Sequence, residues 1–415
     1  MKYPFVFGIA FWWMTLPTLY AQTNDLNYYI NHALENSPLC KEYGNQLIIN
    51  RLDSLILKAD YQPSLHFSTN NFWAPMVNDY GYDEAITHKG RNNALLTVRQ
   101  TIIGQGNFKT RLDAYTLDNQ SLQNAKSIEE QELKLAVAAQ YITAYGILQE
   151  FLFNQEFIFL LETEATILKK LTEGAFYKQT DYLSFHIALK QQQLLADQQK
   201  AEYLNNLALL NYLCGLADTS FVRLEKPDIL LRPPYSFENT LQFYRFQIDS
   251  LKIQNRSALI DYAYRPKFDI YADAGFNTTF AHYTYKHFGA SIGFSLSIPI
   301  FDGGQRQKQH NKLNISEQIR RDYQDFSRQQ YRQQLDRLYQ QLEQTEKIIN
   351  HAQSIIDATQ TLMQAYGIQL QTGDAAIADY MLSINHYLNA QHIVTRHSIN
   401  KIQIINQINY WNHEK

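Results

Sequence analysis

Between residues 288 and 300 the chain alternates without a break. Phe288, Ala290, Ile292, Phe294, Leu296, Ile298 and Ile300 are apolar, while Gly289, Ser291, Gly293, Ser295, Ser297 and Pro299 are small or polar. Period two over this length predicts a two-faced strand, and ~9–11 residues suffice for a tilted strand to cross a bilayer. Its expected partner sets Phe268, Ile270, Ala272, Ala274 and Phe276 against Asp269, Tyr271, Asp273 and Gly275. Leu65, Phe67 and Trp73, then Ala94, Leu96, Val98 and Ile102, repeat the pattern more weakly in the first half. A soluble β-sandwich with one buried face gives the same alternation. Four strands in two distant hairpins, however, bury little by themselves and are too few to close a barrel. Lipid tolerates no open sheet edge, so a membrane reading requires several chains, and three copies would supply twelve strands.

After Asp302-Gly303-Gly304 the period changes from 2 to 3.5. Leu335, Leu338, Leu342, Thr345, Ile349, Ala352, Ile356, Thr359, Met363 and Tyr366 follow a 3-4 spacing, the seam of a left-handed coiled coil. Positions 198 residues earlier, from Val137, Gln140, Ala144, Ile147 and Phe151 to Leu168, carry the same seam. The offset recurs in motifs. Thr101–Gly106 returns as Pro299–Gly304, and Thr180-Asp181-Tyr182-Leu183 as Ala378-Asp379-Tyr380-Met381. Tyr61-Gln62-Pro63 returns as Tyr264-Arg265-Pro266 at an offset of 203, so the loop between 64 and 101 is the longer one by five residues.

The chain is therefore two structural repeats. The first occupies residues 22–236: a helix at about 37–60, a strand pair at about 61–103, a long helical hairpin at about 107–214, and a Pro-containing linker at 215–236. The second occupies 237–415: a helix at about 237–262, a strand pair at about 264–301, and a hairpin at about 305–412. Each long helix, at 1.5 Å per residue, would run ~100 Å. Turns around Gly174 and Gly373 reverse the hairpins, and Gly104, Gly106, Gly303 and Gly304 mark the passage from strand to helix. The fold class is mainly α with a membrane β-barrel.

The N-terminus adds a compartment. Lys2, the apolar run Phe5–Leu16 and Ala21 before Gln22 read as a secretory signal over residues 1–21. No Cys follows the cleavage point, so no lipid anchor is expected there. Charge is balanced, 37 basic against 40 acidic residues and a net charge of −3, which gives no reason to expect nucleic acid as a partner. Two cysteines make no disulfide scaffold. The twelve histidines, His282 and His287 among them, form no cluster with metal-ligand spacing. Neither a nucleophile motif nor a phosphate loop is present, so no enzyme activity, cofactor or metal is expected.

Pro299-Ile300-Phe301-Asp302-Gly303-Gly304 before a basic, Gln-rich helix, the opening Ala33-Leu34-Glu35-Asn36-Ser37-Pro38, Gly373 six positions before Asp379, and the two-fold repeat occur together. In that order they resemble the TolC-like outer membrane efflux proteins of Gram-negative bacteria. The resemblance spans essentially the whole mature chain. It implies a homotrimer with a twelve-stranded barrel in outer-membrane lipid and a helical tunnel in the periplasm. It also implies an exit duct of a tripartite efflux or type I secretion system, served by a periplasmic adaptor and an inner-membrane RND, ABC or similar pump. The alternative is a periplasmic coiled-coil adaptor or structural protein, for which a single hairpin would be expected.

The resemblance further implies a gate at the hairpin tips, falling on Thr180, Asp181, Gly373, Asp374 and Asp379. Where the family often carries a basic residue and a second acid, this chain has Ala375 and Leu382. Gly174 lies seven rather than six positions before Asp181, which suggests an extra residue in the first tip. Asp181 and Asp379 could line the aqueous mouth or simply cap their helices. In this architecture Cys40 and Cys214 fall at the same height, so a bridge between them stands beside the reading of two buried free thiols.

Overall fold

The computed structural model describes residues 25–218, 220–279 and 284–412. The expected signal segment, 1–21, and His282 lie outside the described residues. The chain forms two compact units. The first takes the residues up to Asn36, Lys134–Leu230 and Gln344–Gln403; the second takes Ser37–Leu133, Leu231–Glu343 and the residues from Ile404 on.

The repeat is visible in the helices. α1 (Leu26–Asn36) and α2 (Pro38–Asp60) precede the first strand pair, whose loop carries α3 (Glu84–Thr87). α4 (Gln105–Glu173) and α5 (Gln179–Leu213) form the first hairpin. α6 (Leu241–Ala263) opens the second repeat, and α7 (Gln305–Thr372) and α8 (Ile377–Trp411) close it. The long helices have 69 and 68 residues and the return helices 35 each. The longer of the two inter-strand loops is the one with α3, as the offsets require. α2 matches the helix expected at about 37–60, whereas α1, ahead of the break at Ser37, was not expected.

That break explains the Ala33–Pro38 opening. Pro38 suits the first helical position of α2, and Ser37 Oγ accepts the Cys40 N–H at 3.3 Å. In the first unit, Asn36 Nδ2 donates to the Cys214 carbonyl at 2.9 Å, capping the end of α5. Cys40 and Cys214 are both buried free thiols, and no bridge joins them. The apolar surroundings of Cys214 push its thiol up to about 12.

The heptad seams hold. In α7, Leu335, Leu338, Leu342, Thr345, Ala352 and Ile356 are buried, and the other four seam positions are half-buried. In α4, Val137, Ala144, Phe151, Asn154, Leu161, Ala165 and Leu168 are buried. Asn154 is the polar layer of the first unit. Its amide donates to Gln199 Oε1, and its Oδ1 accepts from Gln192 Nε2 at 2.5 Å. A buried amide layer of this kind costs stability but fixes register, because every slipped alignment leaves it unpaired. The first unit's linker segment is held by tyrosines: Tyr141 donates to the Glu225 carbonyl at 2.8 Å, and Tyr203 to that of Val222.

In the second unit, α7 carries an acid-sensitive link. Glu317 accepts from Arg320 Nε at 2.8 Å and Arg321 Nε at 3.0 Å, while Arg320 also reaches the Phe246 carbonyl of α6 at 3.4 Å. These guanidinium bonds hold the Glu317 carboxyl down at about 2, against 4.5 ordinarily. A depressed carboxylate stabilises fully above its unfolded value, and that stabilisation is lost as pH falls from 4.5 towards 2. Glu317→Gln should lower the melting temperature at pH 7, by roughly 1 kcal/mol of stability. It should also flatten the melting-temperature slope between those two pH values.

Candidate functional site

The strands form one antiparallel sheet in the order β1-β2-β3-β4, with β1 Ser64–Trp73, β2 Gly90–Ile102, β3 Lys267–Thr279 and β4 Phe288–Ser297. The expected thirteen-residue strand stops three residues early. Pro299 has no N–H to donate, and β3 itself begins only at Lys267, the partner of Ser297. Ile298 and Ile300 continue past the ladder as exposed side chains, 52% and 94% accessible.

Register turns four alternating sequences into two continuous faces. Leu65 pairs with Val98, Val98 with Ala272, and Ala272 with Ile292. Phe67, Leu96, Ala274 and Ala290 make the next row, and Ile102, Phe268 and Leu296 the row at one end. The opposite face carries His66, Thr97, Asp273 and Ser291 in one row, and Thr101, Asp269 and Ser295 in another. There Ser291 Oγ donates to Asp273 at 2.9 Å and Thr101 Oγ1 to Asp269 at 2.5 Å. Apolar side chains on the first face are left largely open: Phe67 70%, Ile292 81%, Phe294 71%. Among the described residues no strand pairs the outer edges of β1 and β4. Among the described residues no helix is long and apolar enough to cross a membrane.

The joint that follows β4 is built from Asp302 and two glycines. Gly303 and Gly304 take φ of +64° and +78°, a left-handed pair that redirects the chain and that a Cβ would strain. Asp302 then caps α7, its Oδ1 accepting the Gly304 N–H at 2.8 Å and its Oδ2 the Arg306 N–H at 2.7 Å. The Arg306 N–H, with help from the Tyr264 hydroxyl and the Gly304 N–H, holds the Asp302 carboxyl below the usual carboxylate range. Arg306 and His310 both reach Asp261 of α6 at 2.9 Å. The first repeat makes the joint differently. Neither Gly104 nor Gly106 has positive φ, and Gly106 instead makes room for the Tyr262 hydroxyl, which would sit 2.3 Å from a Cβ there.

In the first unit the two hairpin turns are superimposable in their hydrogen bonds. Asp374 N–H reaches the Gln369 carbonyl at 2.9 Å across Gly373, whose φ is +81°. Phe176 N–H reaches Leu171 at 2.9 Å across Ala175, whose φ is +63°. Shifting Gly373 back by 198 lands on Ala175, so the first tip has no extra residue, and Gly174 is not its turn residue. An alanine stands in a left-handed position at a cost of roughly 1–2 kcal/mol. Ala175→Gly should therefore raise the thermal stability of the tip by about 1 kcal/mol, read as slower proteolysis within 172–178.

The tip acids occupy matching places. Asp181 and Asp379 are each the third residue of their helix. Asp181 is half-buried and accepts the Lys178 N–H at 3.2 Å, so it acts as a cap; Asp379 is exposed. Asp374 accepts from Thr372 Oγ1 at 2.6 Å, and Thr180 is exposed. What joins the two tips is Tyr177, which the sequence did not single out. Its hydroxyl lies 3.1 Å from the Leu370 carbonyl and 3.0 Å from that of Ala375. Burial, with Asp374 and Asp181 nearby, pushes this phenol up. Beneath it Phe185 and Tyr380 stack with parallel planes at 6.4 Å, inside an apolar cluster that includes Leu168, Leu370 and Ile377. A hydroxyl and a ring stack thus join the two turns, close in sequence to Asp181, Asp374 and Asp379.

A four-stranded antiparallel sheet with one apolar face, interleaved with two long helical hairpins, is the fold of the TolC-like outer-membrane channels. Among solved structures, the outer membrane protein VceC of Vibrio cholerae is similar at a TM-score of 0.74, with 12% identity over 94% of this chain and 96% of that one. CusC, whose structures describe transmembrane channel formation, is similar at 0.75, with 12% identity over 94% and 92%. The MtrE outer membrane channel of Neisseria gonorrhoeae, in its open state, is similar at 0.73, with 12% identity over 93% and 88%. No protein-family model and no curated protein matches the sequence.

Proposed function

We propose that the chain is the outer-membrane exit duct of a tripartite efflux or type I secretion system. The observation that carries this reading is the sheet. It has two open edges and one solvent-exposed apolar face in register across all four strands. Such a sheet is costly as a monomer in water and impossible as a monomer in lipid. Three copies joined edge to edge, β4 to β1, give a closed barrel of twelve strands with the apolar face in lipid and Asp269, Asp273, Arg99 and His66 around an aqueous lumen. The helical hairpins then stand in the periplasm, where a periplasmic adaptor and an inner-membrane pump deliver cargo to the tip. The duct conducts passively and needs no catalytic group. A tip bearing Asp181, Asp374 and Asp379 in three copies favours cations at its mouth. The adaptor alternative has no supporting observation, since two hairpins share one heptad frame and both feed strands.

Fractionation tests the reading. The expected result is a heat-modifiable trimer in the outer membrane that forms pores in planar bilayers. Recovery of a soluble periplasmic monomer would sink it.

A further inference from the structure

In the second unit, away from sheet, joint and tips, four aromatic residues surround a cavity of about 240 Å³. Phe237 begins the second repeat, Tyr331 comes from α7, and Tyr410 and Trp411 end α8. The rings form one connected set. Phe237 and Tyr331 lie 5.5 Å apart, Tyr331 and Trp411 6.3 Å, and Tyr410 and Trp411 5.7 Å. Ile128 and Leu241 complete the apolar wall. Tyr331 spends its hydroxyl on the Tyr235 carbonyl at 2.9 Å, which leaves its ring as its contribution to the cavity.

The charge beside this cage is negative. Ile128, Gln131 and Glu132 are spaced i, i+3, i+4 and so share a face of α4. Glu132 accepts from the Tyr410 hydroxyl at 3.4 Å. Glu129 stands next to it, its carboxyl pushed up by burial and by Glu132. The neighbouring cation, Arg328, is committed to Glu238 at 3.2 Å and Asp325 at 3.2 Å and lies over the Phe237 ring, 5.8 Å from its centroid. Aromatic faces attract cations through their quadrupole, and a carboxylate at the rim adds to that field. A neutral apolar guest would gain only from burial, which does not depend on Glu132.

We infer that this cage is a binding site for a hydrophobic organic cation, an aryl- or alkylammonium, held by the rings of Phe237, Tyr331, Tyr410 and Trp411 with the Glu132 carboxylate behind the Tyr410 hydroxyl. The size fits a single aromatic ring bearing a substituted ammonium group. Both residues of the α8 end take part, so occupancy ties the last turn of α8 to the start of the second repeat.

Trp411 is a built-in reporter. Purified, full-length protein in detergent, carrying Trp12→Phe, Trp13→Phe and Trp73→Phe so that Trp411 alone fluoresces as indole, would be titrated with benzyltrimethylammonium and with neopentylbenzene, its uncharged carbon isostere. Saturable quenching of Trp411 is expected, with the cation bound about tenfold more tightly than the isostere. Ile128→Phe, bulkier and without indole fluorescence, should fill the cavity and abolish quenching by both. Glu132→Gln, at an exposed position that leaves the fold unchanged, should weaken the cation about threefold or more and leave the isostere unaffected. Equal affinity for the two probes, no quenching, or quenching that survives Ile128→Phe would each overturn the proposal. Phe237→Ala should also abolish binding. If it prevents assembly, the Ile128 and Glu132 variants still decide the matter. Bilayer pores from all three variants separate loss of this site from loss of the duct itself.

Discussion

Ile292→Lys should abolish assembly, whereas Ser291→Lys, one residue away, should assemble and change selectivity. Ile292 lies in the row Leu65–Val98–Ala272–Ile292 on the apolar face and is 81% exposed in the isolated chain. A lysine near mid-depth on a lipid-facing barrel surface costs about 2–4 kcal/mol. In the proposed three-chain barrel that multiplies to roughly 10 kcal/mol, comparable to the whole stability of an ordinary domain. Heat-modifiable oligomer should disappear from the outer membrane. Ser291 is on the other face, with its hydroxyl on Asp273 at 2.9 Å. A lysine there meets a carboxylate and water, so the trimer should survive, and the three added charges should shift reversal potentials towards anions. Equal behaviour of the two variants would refute the assignment of lipid and lumen faces.

The two faces were legible in sequence because period two leaves no choice. Once Phe288 to Leu296 alternate, a strand can only sort them to opposite sides. The heptad seam was legible for the same reason. Thr345 and Asn154, polar though they are, are buried as the frame requires. What failed was local and chemical. Glycine is the strongest turn signal, so Gly174 drew attention away from Ala175. Only the 198-residue offset points to the alanine, because a left-handed alanine leaves no mark in composition. The strand end was overrun since Ile298 and Ile300 keep the alternation while Pro299 breaks the ladder. Ladder membership depends on a partner, and β3 starts at Lys267. The Tyr177 contact was invisible because it joins two segments that meet only when the hairpins pack. The aromatic cage, drawn from four separate stretches of chain, was hidden in the same way.

Tyr177→Phe should loosen the closed tip. The hydroxyl lies within hydrogen-bonding distance of two carbonyls of the second hairpin, Leu370 and Ala375; the phenyl ring would keep the packing, Leu370 would keep the Gly373 N–H, and Ala375 would lose the hydroxyl. Losing that bond at the buried Ala375 carbonyl costs about 1–2 kcal/mol per chain. If the three tips open together, the equilibrium shifts by roughly 3–6 kcal/mol, a factor of more than a hundred towards the open state. Single-channel records in planar bilayers should show a larger conductance or a longer open time. The acids give the comparison. Asp181→Ala removes a cap on α5, worth about 1 kcal/mol, and frays the same tip. Asp379→Ala removes an exposed charge at the matching position of α8 and should alter cation selectivity more than opening. If Tyr177→Phe leaves conductance unchanged while Asp379→Ala opens the pore, the closed state is held by charge. The opposite ranking is expected, because the two turns are joined by the Tyr177 hydroxyl and the Phe185–Tyr380 stack, whereas Asp379 is exposed.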